Sequence, residues 1–183
     1  GSAPRHAHEH DRDHRRSDQG AMTGRGRISI ALVVAVGLIL AAAPSGAADF
    51  EAGMRAANLR DFVEARRQWR PLADAGEARA QYHLGMLSES GQGTAPDYGV
   101  AAGWYARAAA QGHAAAQTAL AILYAEGLGV ERDPVEAYKW FALAARGGNG
   151  FAEANLRRLG GMLSAAARAE AEGRLRTHLE SDP

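Results

Sequence analysis

The most regular feature of the chain is a pattern of apolar residues that returns after thirty-six positions. In the segment AQYHLGMLSES, Leu84 and Leu87 are spaced as on one face of a helix. Leu120 and Leu123 repeat that spacing one period later, and a second apolar stripe follows each of these segments. The pattern predicts two amphipathic helices in every copy, named helix A and helix B in chain order.

Glycines are predicted to end helix A. Gly91 and Gly127 directly follow the apolar stripe, and glycine adopts the left-handed backbone conformation at a helix end without a steric penalty. The breaks inside the helix pairs are therefore expected near residues 58 to 61, 91 to 96 and 127 to 132.

Aspartates are predicted to cap helix B. Asp61, Asp97 and Asp133 each precede its apolar stripe, and a carboxylate at that place accepts hydrogen bonds from the free N–H groups of the first turn. Glu64 and Glu136 stand three residues after their aspartates, which predicts the reciprocal bonds of a capping box.

Large aromatic residues in helix B are predicted to fill the core between small ones. Trp69, Trp104 and Trp140 are interpreted as one repeat position, so all three are expected to be buried. Alanine and glycine around them would let neighbouring helices approach closely. A single helix pair cannot bury both of its apolar faces, so the pairs are expected to stack in series.

The recurring residues, in the form A…LG..Y..G.GV..D...A..WY..AA..G, resemble the Sel-one-like repeat, a branch of the tetratricopeptide superfamily. The resemblance covers roughly residues 49 to 160. It implies an all-α fold, a right-handed α-solenoid of antiparallel helix pairs with a C-terminal capping helix. Two positions stand out: Ala121 replaces the glycine of the family, and Ser164 is expected to cap the last helix.

The repeat pattern also predicts the units of the chain. The first unit has a turn between its helices that is four residues shorter than in the others. The expected units are a tetratricopeptide-like unit over 49–76, two Sel-one-like repeats over 77–112 and 113–148, and a partial repeat with the C-terminal capping helix over 149–183.

The N-terminal part of the chain is predicted to lie outside the repeats. Residues 28 to 43 form an uncharged apolar run that follows two arginines and precedes small residues. This pattern predicts that residues 22–48 are a signal peptide, cut after Ala47 or Ala48, and that the protein is exported to the periplasm. The alternative is an uncleaved anchor that holds the protein at the inner membrane by the same apolar run. Residues 1–21 are interpreted as a disordered leader or an artefact.

Composition excludes several kinds of site. The chain has no Cys, so it cannot form a disulfide, a thiolate zinc site or a cysteine nucleophile. Acidic and basic residues balance at 21 each, unlike the basic excess of nucleic-acid binders. His83, His113 and His178 lack the spacing of metal ligands, and no catalytic serine motif occurs. We therefore expect no catalysis, no cofactor, no metal and no nucleic-acid partner.

The family resemblance implies a non-enzymatic periplasmic scaffold. Its partner would be another protein or a peptide segment of the cell envelope, held on the side lined by the A helices. The alternative is a cell-envelope protein that acts on glycan or binds it, and the missing catalytic groups count against that reading. Membrane contact is expected only through an uncleaved N-terminal segment.

The superfamily register predicts where the partner binds. The residues it selects are Phe50, Met54, Tyr82, Met86, Glu89, Thr118, Ile122 and Glu126, together with Asn58 and Arg79. The open alternative is that these side chains pack inside the solenoid.

Overall fold

The computed structural model describes residues 49 to 181. Within that range the chain forms eight α-helices and no β-strand, as predicted. The helices are α1 (Phe50–Asn58), α2 (Phe62–Asp74), α3 (Ala78–Ser90), α4 (Tyr98–Ala109), α5 (Ala114–Glu126), α6 (Pro134–Arg146), α7 (Gly150–Met162) and α8 (Ala165–Ser181). The predicted leader and the predicted signal or anchor segment lie outside the described residues.

The first six helices form three stacked pairs. Helix α1 packs with α2, α3 with α4 and α5 with α6, and the second helix of each pair also packs against the first helix of the next. The connections inside the pairs are residues 59–61, 91–97 and 127–133, which confirms the predicted breaks. The first connection has three residues and the other two have seven, so the predicted four-residue difference is also confirmed.

Glycine ends helix A in the second and third pairs, as predicted. Gly91 and Gly127 have φ angles of 70° and 74°, in the left-handed region that favours glycine. After each glycine the connection returns to the end of helix A. The backbone N–H of Asp97 donates to the carbonyl of Ser88 at 2.8 Å, and that of Asp133 donates to the carbonyl of Tyr124 at 2.9 Å.

The three predicted aspartate caps are confirmed. The carboxylates accept hydrogen bonds from backbone N–H groups three residues ahead: Asp61 from Glu64 at 3.0 Å, Asp97 from Val100 at 2.9 Å and Asp133 from Glu136 at 2.9 Å. Each bond satisfies an N–H group that the helix itself leaves without a partner.

The capping-box prediction is wrong for both glutamates. Glu64 accepts hydrogen bonds from Arg67 at 2.6 Å, and Glu136 accepts one from Arg174 at 3.2 Å. The backbone N–H groups of the two capping aspartates donate instead to carbonyls at the end of the preceding helix, at 2.9 Å in both cases. Because the connection already uses those donors, the glutamates bind arginines.

The prediction that the three tryptophans share one core position is also wrong. The equivalent residues, eight positions after each capping aspartate, are Trp69, Tyr105 and Phe141, which are only 1%, 1% and 2% exposed. Trp104 and Trp140 stand one residue earlier in the register. Trp104 is half-buried and Trp140 is 7% exposed. The capping aspartates fix the register of helix B, and the three tryptophans do not all stand at the same position in that register.

Small residues on helix A make room for the core rings. A Cβ atom at Gly53 would lie 2.6 Å from Cδ1 of Trp69, and one at Gly85 would lie 2.5 Å from Cε1 of Tyr105. Ala121 takes the equivalent position on α5, in the pair whose core ring is phenylalanine, and it is fully buried. The size of the helix A residue therefore varies together with the ring that the pair contains.

Buried amides join consecutive pairs. Gln81 donates through Nε2 to the carbonyl of Ala73 at 3.0 Å, and Gln117 donates in the same way to Ala109 at 3.1 Å. The two glutamines are 1% and 5% exposed. Each amide therefore satisfies a carbonyl at the C-terminal end of the previous helix B, which fixes the position of the next helix A.

Helix α8 closes the stack, as predicted for a capping helix. Ser164 caps it by accepting a hydrogen bond from the N–H of Ala167 at 3.1 Å. The helix packs against α6, with Ala171 fully buried and most of its other residues exposed. Arg174 donates to Asp133 at 2.9 Å, so the last helix binds the carboxylate that caps α6.

Candidate functional site

The residues predicted to bind a partner differ in exposure. Phe50 and Thr118 are buried at 8% exposure each. The half-buried members are Met54, Tyr82, Glu89 and Ile122, and the exposed members are Asn58, Arg79, Met86 and Glu126. Met86 is the most exposed large apolar side chain of the predicted set, at 42%.

The two buried members of the set hold the structure together. The carbonyl of Phe50 accepts a hydrogen bond from Nε1 of Trp69 at 3.1 Å. Thr118 donates to the carbonyl of Ala114 at 2.9 Å and accepts from Nδ2 of Asn149 at 3.1 Å. The burial of both residues agrees with the packing alternative, so little of either side chain is left for a partner.

An aromatic cluster surrounds His83 where the first and second pairs meet. Its ring centroid lies 5.4 Å from Phe50, 4.7 Å from Trp69 and 5.4 Å from Tyr82. Burial lowers the pKa of His83, and the nearby His113 lowers it further. The imidazole is therefore neutral at pH 7 and acts as a polar member of an aromatic core.

Tyr82 extends the cluster toward the third pair. Its ring stacks on His113 at 4.8 Å and lies 5.8 Å from Tyr105. The hydroxyl of Tyr105 donates to the carboxylate of Glu89 at 2.6 Å. Burial raises the pKa of Tyr105, and the bond to Glu89 raises it further, so this hydroxyl keeps its proton and fixes the carboxylate.

Arg79 covers one edge of the cluster. Its guanidinium lies 3.7 Å from the ring centroid of Phe50 and forms an ion pair with Glu51 at 3.4 Å. A cation placed over an aromatic face in this way is attracted by the ring. The exposed arginine is therefore already engaged by two groups of this chain.

A pocket of about 270 Å³ opens beside the cluster, between the end of α1, the start of α2 and the C-terminal half of α3. Its lining residues are Ala57, Phe62, Trp69, His83, Met86, Leu87, Glu89, Ser90 and Gln92. Most of this lining is apolar, and the single carboxylate belongs to Glu89. The pocket therefore combines an apolar wall with one negative charge.

The sequence predicted only two of the pocket residues, Met86 and Glu89. Phe62, His83 and Leu87 were not selected, because two of them belong to the apolar stripes and the histidine had no ligand spacing. One signal was present: the polar aromatic His83 stands where the next repeat has the small residue Ala119. A large side chain in one copy and a small one in the next indicate that the two positions have different neighbours in the fold.

No metal site is apparent between residues 49 and 181, where no three His, Cys, Asp or Glu side chains come close enough to hold an ion. The histidines have separate roles. His113 caps α5 by accepting the N–H of Ala116 at 3.2 Å, and His178 lies edge-on to Trp140 at 5.4 Å. None of the helices described is both long and apolar enough to cross a membrane.

Comparison with known proteins places the chain among helical repeat proteins. The family model of the Sel1 repeat matches residues 78–113 and 114–149. Among solved structures, the chain is similar to c5321, a protective antigen of uropathogenic Escherichia coli strains with an SLR fold. The TM-score is 0.68 and the identity 34%, over 71% of this chain and 29% of that chain. The chain thus spans less than a third of the length of c5321.

The chain covers a larger share of a second solved structure. The chain is similar to a Sel1 repeat protein from Oxalobacter formigenes, with a TM-score of 0.56 and 36% identity, over 60% of this chain and 85% of that chain. No curated protein matches the sequence.

Proposed function

The chain belongs to the Sel1 repeat family, and we propose that it is a non-enzymatic scaffold that holds a segment of another protein. Sel1 repeats are protein-interaction repeats, and proteins built from them are generally scaffolds without catalytic activity. The binding surface in this proposal is the side formed by the A helices α1, α3 and α5.

The exposure of Met86 is the observation that supports this surface. The repeat register places Met54 and Ile122 at the equivalent positions of the neighbouring A helices, and both are half-buried. A row of flexible apolar side chains on adjacent helices suits an amphipathic or extended peptide, because methionine adapts to irregular apolar surfaces.

The proposed compartment is the periplasm, and the partner is a protein of the cell envelope. Support comes from the apolar run and the small residues before Ala47 and Ala48. N-terminal sequencing of protein from the producing cell is expected to find Ala48 or Asp49 first. A mature chain that keeps residues 28 to 43 would favour the membrane anchor instead.

Co-purification tests the scaffold. The full chain is used as bait in an envelope extract, and bound proteins are identified by mass spectrometry. Tyr82→Ala combined with Met86→Ala is expected to lose the partner, and Met86→Ala alone to weaken it. Leu179→Ala is the matched control, since Leu179 is 38% exposed, close to the 42% of Met86, and lies on the capping helix α8, which is not an A helix.

Three results would decide between the alternatives. A folded double variant that loses the partner supports the A-helix surface. A double variant that unfolds shows that these side chains are core, and the exposed Met86 alone then tests the surface. A folded variant that keeps the partner, or a partner lost equally in the Leu179 control, contradicts the proposal. Degradation of glycan by the purified chain would contradict the non-enzymatic role.

A further inference from the structure

The pocket beside His83 has a chemical character that limits what it can bind. Its volume of about 270 Å³ lies just below the roughly 300–1,000 Å³ of pockets that enclose drug-sized ligands. It therefore suits one large side chain better than a cofactor. It is also open at its rim, where Met86, Ser90 and Gln92 are exposed.

The carboxylate of Glu89 is held in place but not neutralised. It accepts one hydrogen bond from the neutral hydroxyl of Tyr105 at 2.6 Å. Among the described residues it forms no ion pair, and Arg79 is engaged by Glu51 and Phe50. A half-buried carboxylate without a cation is a favourable place for an incoming positive charge.

The apolar wall adds a second requirement. Phe62, Leu87 and Met86 form an apolar side of the pocket, and His83 contributes an imidazole that is neutral at pH 7. A side chain that matches both parts needs an aliphatic stem and a cationic tip. Lysine and arginine have this structure, and they commonly lay the stem on apolar surface while the charge finds a polar group.

We propose that this pocket receives a lysine or arginine side chain of the partner peptide, with its aliphatic stem on Met86 and Leu87 and its cation on the carboxylate of Glu89. This inference rests on the proposed scaffold function. It names a specificity element of that surface, a basic residue next to apolar ones in the bound segment.

Selection from a random peptide library tests both ideas separately. Phage-displayed random dodecapeptides are selected on the immobilised full chain. The expected result is enrichment of peptides with one Lys or Arg beside apolar residues. Enriched peptides that have apolar or acidic residues but no preferred basic residue would overturn the pocket and leave the scaffold intact. Complete absence of enriched peptides would overturn the scaffold, and the pocket proposal with it.

Substitutions then locate the charge. Glu89→Gln preserves the shape and can still accept the hydrogen bond of Tyr105, so it is expected to fold. The Kd of the best enriched basic peptide, measured by fluorescence anisotropy, should rise about tenfold, which corresponds to about 1.4 kcal/mol. Tyr105→Phe keeps the negative charge of Glu89 but removes the hydrogen bond that fixes its carboxylate, so the preference for a basic residue should be retained.

A second variant and a control make the result independent of one mutant. Gln92→Lys puts a positive charge at the exposed rim and should also weaken the basic peptide, while a peptide with norleucine in place of the basic residue should change little. Glu172→Gln removes an exposed carboxylate on α8 and should leave the Kd unchanged. Equal binding by Glu89→Gln and wild type, or equal loss in Glu172→Gln, would refute the pocket.

Discussion

Replacing Trp69 with alanine should destabilise the protein much more than the same change at Trp104. The structure gives the two tryptophans different surroundings. Trp69 is 1% exposed, and its Nε1 donates to the carbonyl of Phe50. Trp104 is half-buried and lies under the guanidinium groups of Arg70 and Arg107, at 5.4 Å and 4.7 Å from its ring centroid.

The size of each effect follows from these contacts. Removal of a fully buried tryptophan side chain costs about 3–5 kcal/mol, and the Trp69 variant also loses the hydrogen bond to the carbonyl of Phe50. Trp104 loses about half of that burial and two exposed cation–π contacts, so a cost of about 2 kcal/mol is expected. Trp140, at 7% exposure, should behave like Trp69 and cost about 3–5 kcal/mol.

Urea unfolding followed by far-UV circular dichroism measures these differences in the free energy of unfolding. Trp69→Phe is the control, because it keeps an aromatic ring in the core and removes mainly the hydrogen bond. If Trp104→Ala cost as much as Trp69→Ala, the difference in burial between the two tryptophans would not determine their contributions to stability, and the reasoning would be refuted.

Three further changes test the caps, the aromatic cluster and the close approach of the pairs. Asp133→Ala should lower the free energy of unfolding by about 0.5–2 kcal/mol, toward the upper end because Arg174 also loses one of its three carboxylate partners. Burial holds the folded-state pKa of His83 below the ordinary value of a histidine, so the unfolded chain takes up the proton first as the pH falls. The contribution of His83 to the free energy of unfolding should therefore be fully present above the ordinary histidine pKa and be lost as the pH falls below it. The decline should be smaller in His83→Phe. Gly129→Ala should cost about 1–3 kcal/mol, because its Cβ would lie 2.6 Å from the carbonyl oxygen of Tyr98.

Each of these has a result that would contradict it. If Asp133→Ala unfolded at the same urea concentration as the wild type, the cap would make no measurable contribution to stability. An unchanged pH profile in His83→Phe would assign the decline to His113 or to other groups. For the glycine, Gly103→Ala is the control, since no atom lies within 4 Å of the added Cβ. Equal melting of Gly103→Ala and Gly129→Ala would mean that the close approach has no energetic consequence.

The arrangement of helices could be predicted because the repeat made each signal visible twice. Asp97 and Asp133 stand one period apart, and so do Gly91 and Gly127, so both ends of the connection were fixed by local chemistry. The same comparison failed for the core aromatic position. Trp104 and Trp140 stand out in the sequence as tryptophans, but the rings at the shared core position are Trp69, Tyr105 and Phe141. Only the register counted from the aspartates finds them.

The candidate site was less predictable, because it depends on contacts between pairs. The superfamily register selected Phe50 and Thr118. Phe50 is buried against the rings of Trp69 and His83, and Thr118 accepts a hydrogen bond from Asn149, contacts that no local pattern shows. The pocket forms where the end of α1 and the start of α2 meet α3. Its charge comes from Glu89, whose place in the site is fixed by Tyr105, sixteen residues away. Sequence periodicity predicts which face of one helix is apolar, but it does not predict the shape of the space between neighbouring helices.

Because the small residue on helix A matches the core aromatic ring on helix B, each helix pair can be duplicated or exchanged only as a whole. Glycine faces tryptophan in the first pair and tyrosine in the second, and alanine accompanies phenylalanine in the third. Recombination that replaced α3 with a copy of α5 would bring Ala121 against Tyr105, whose ring leaves no room for a methyl group. Exchange of whole pairs would keep each partner with its own ring. New members of such a chain can therefore arise by duplication of complete hairpins, and single helices cannot be shuffled freely.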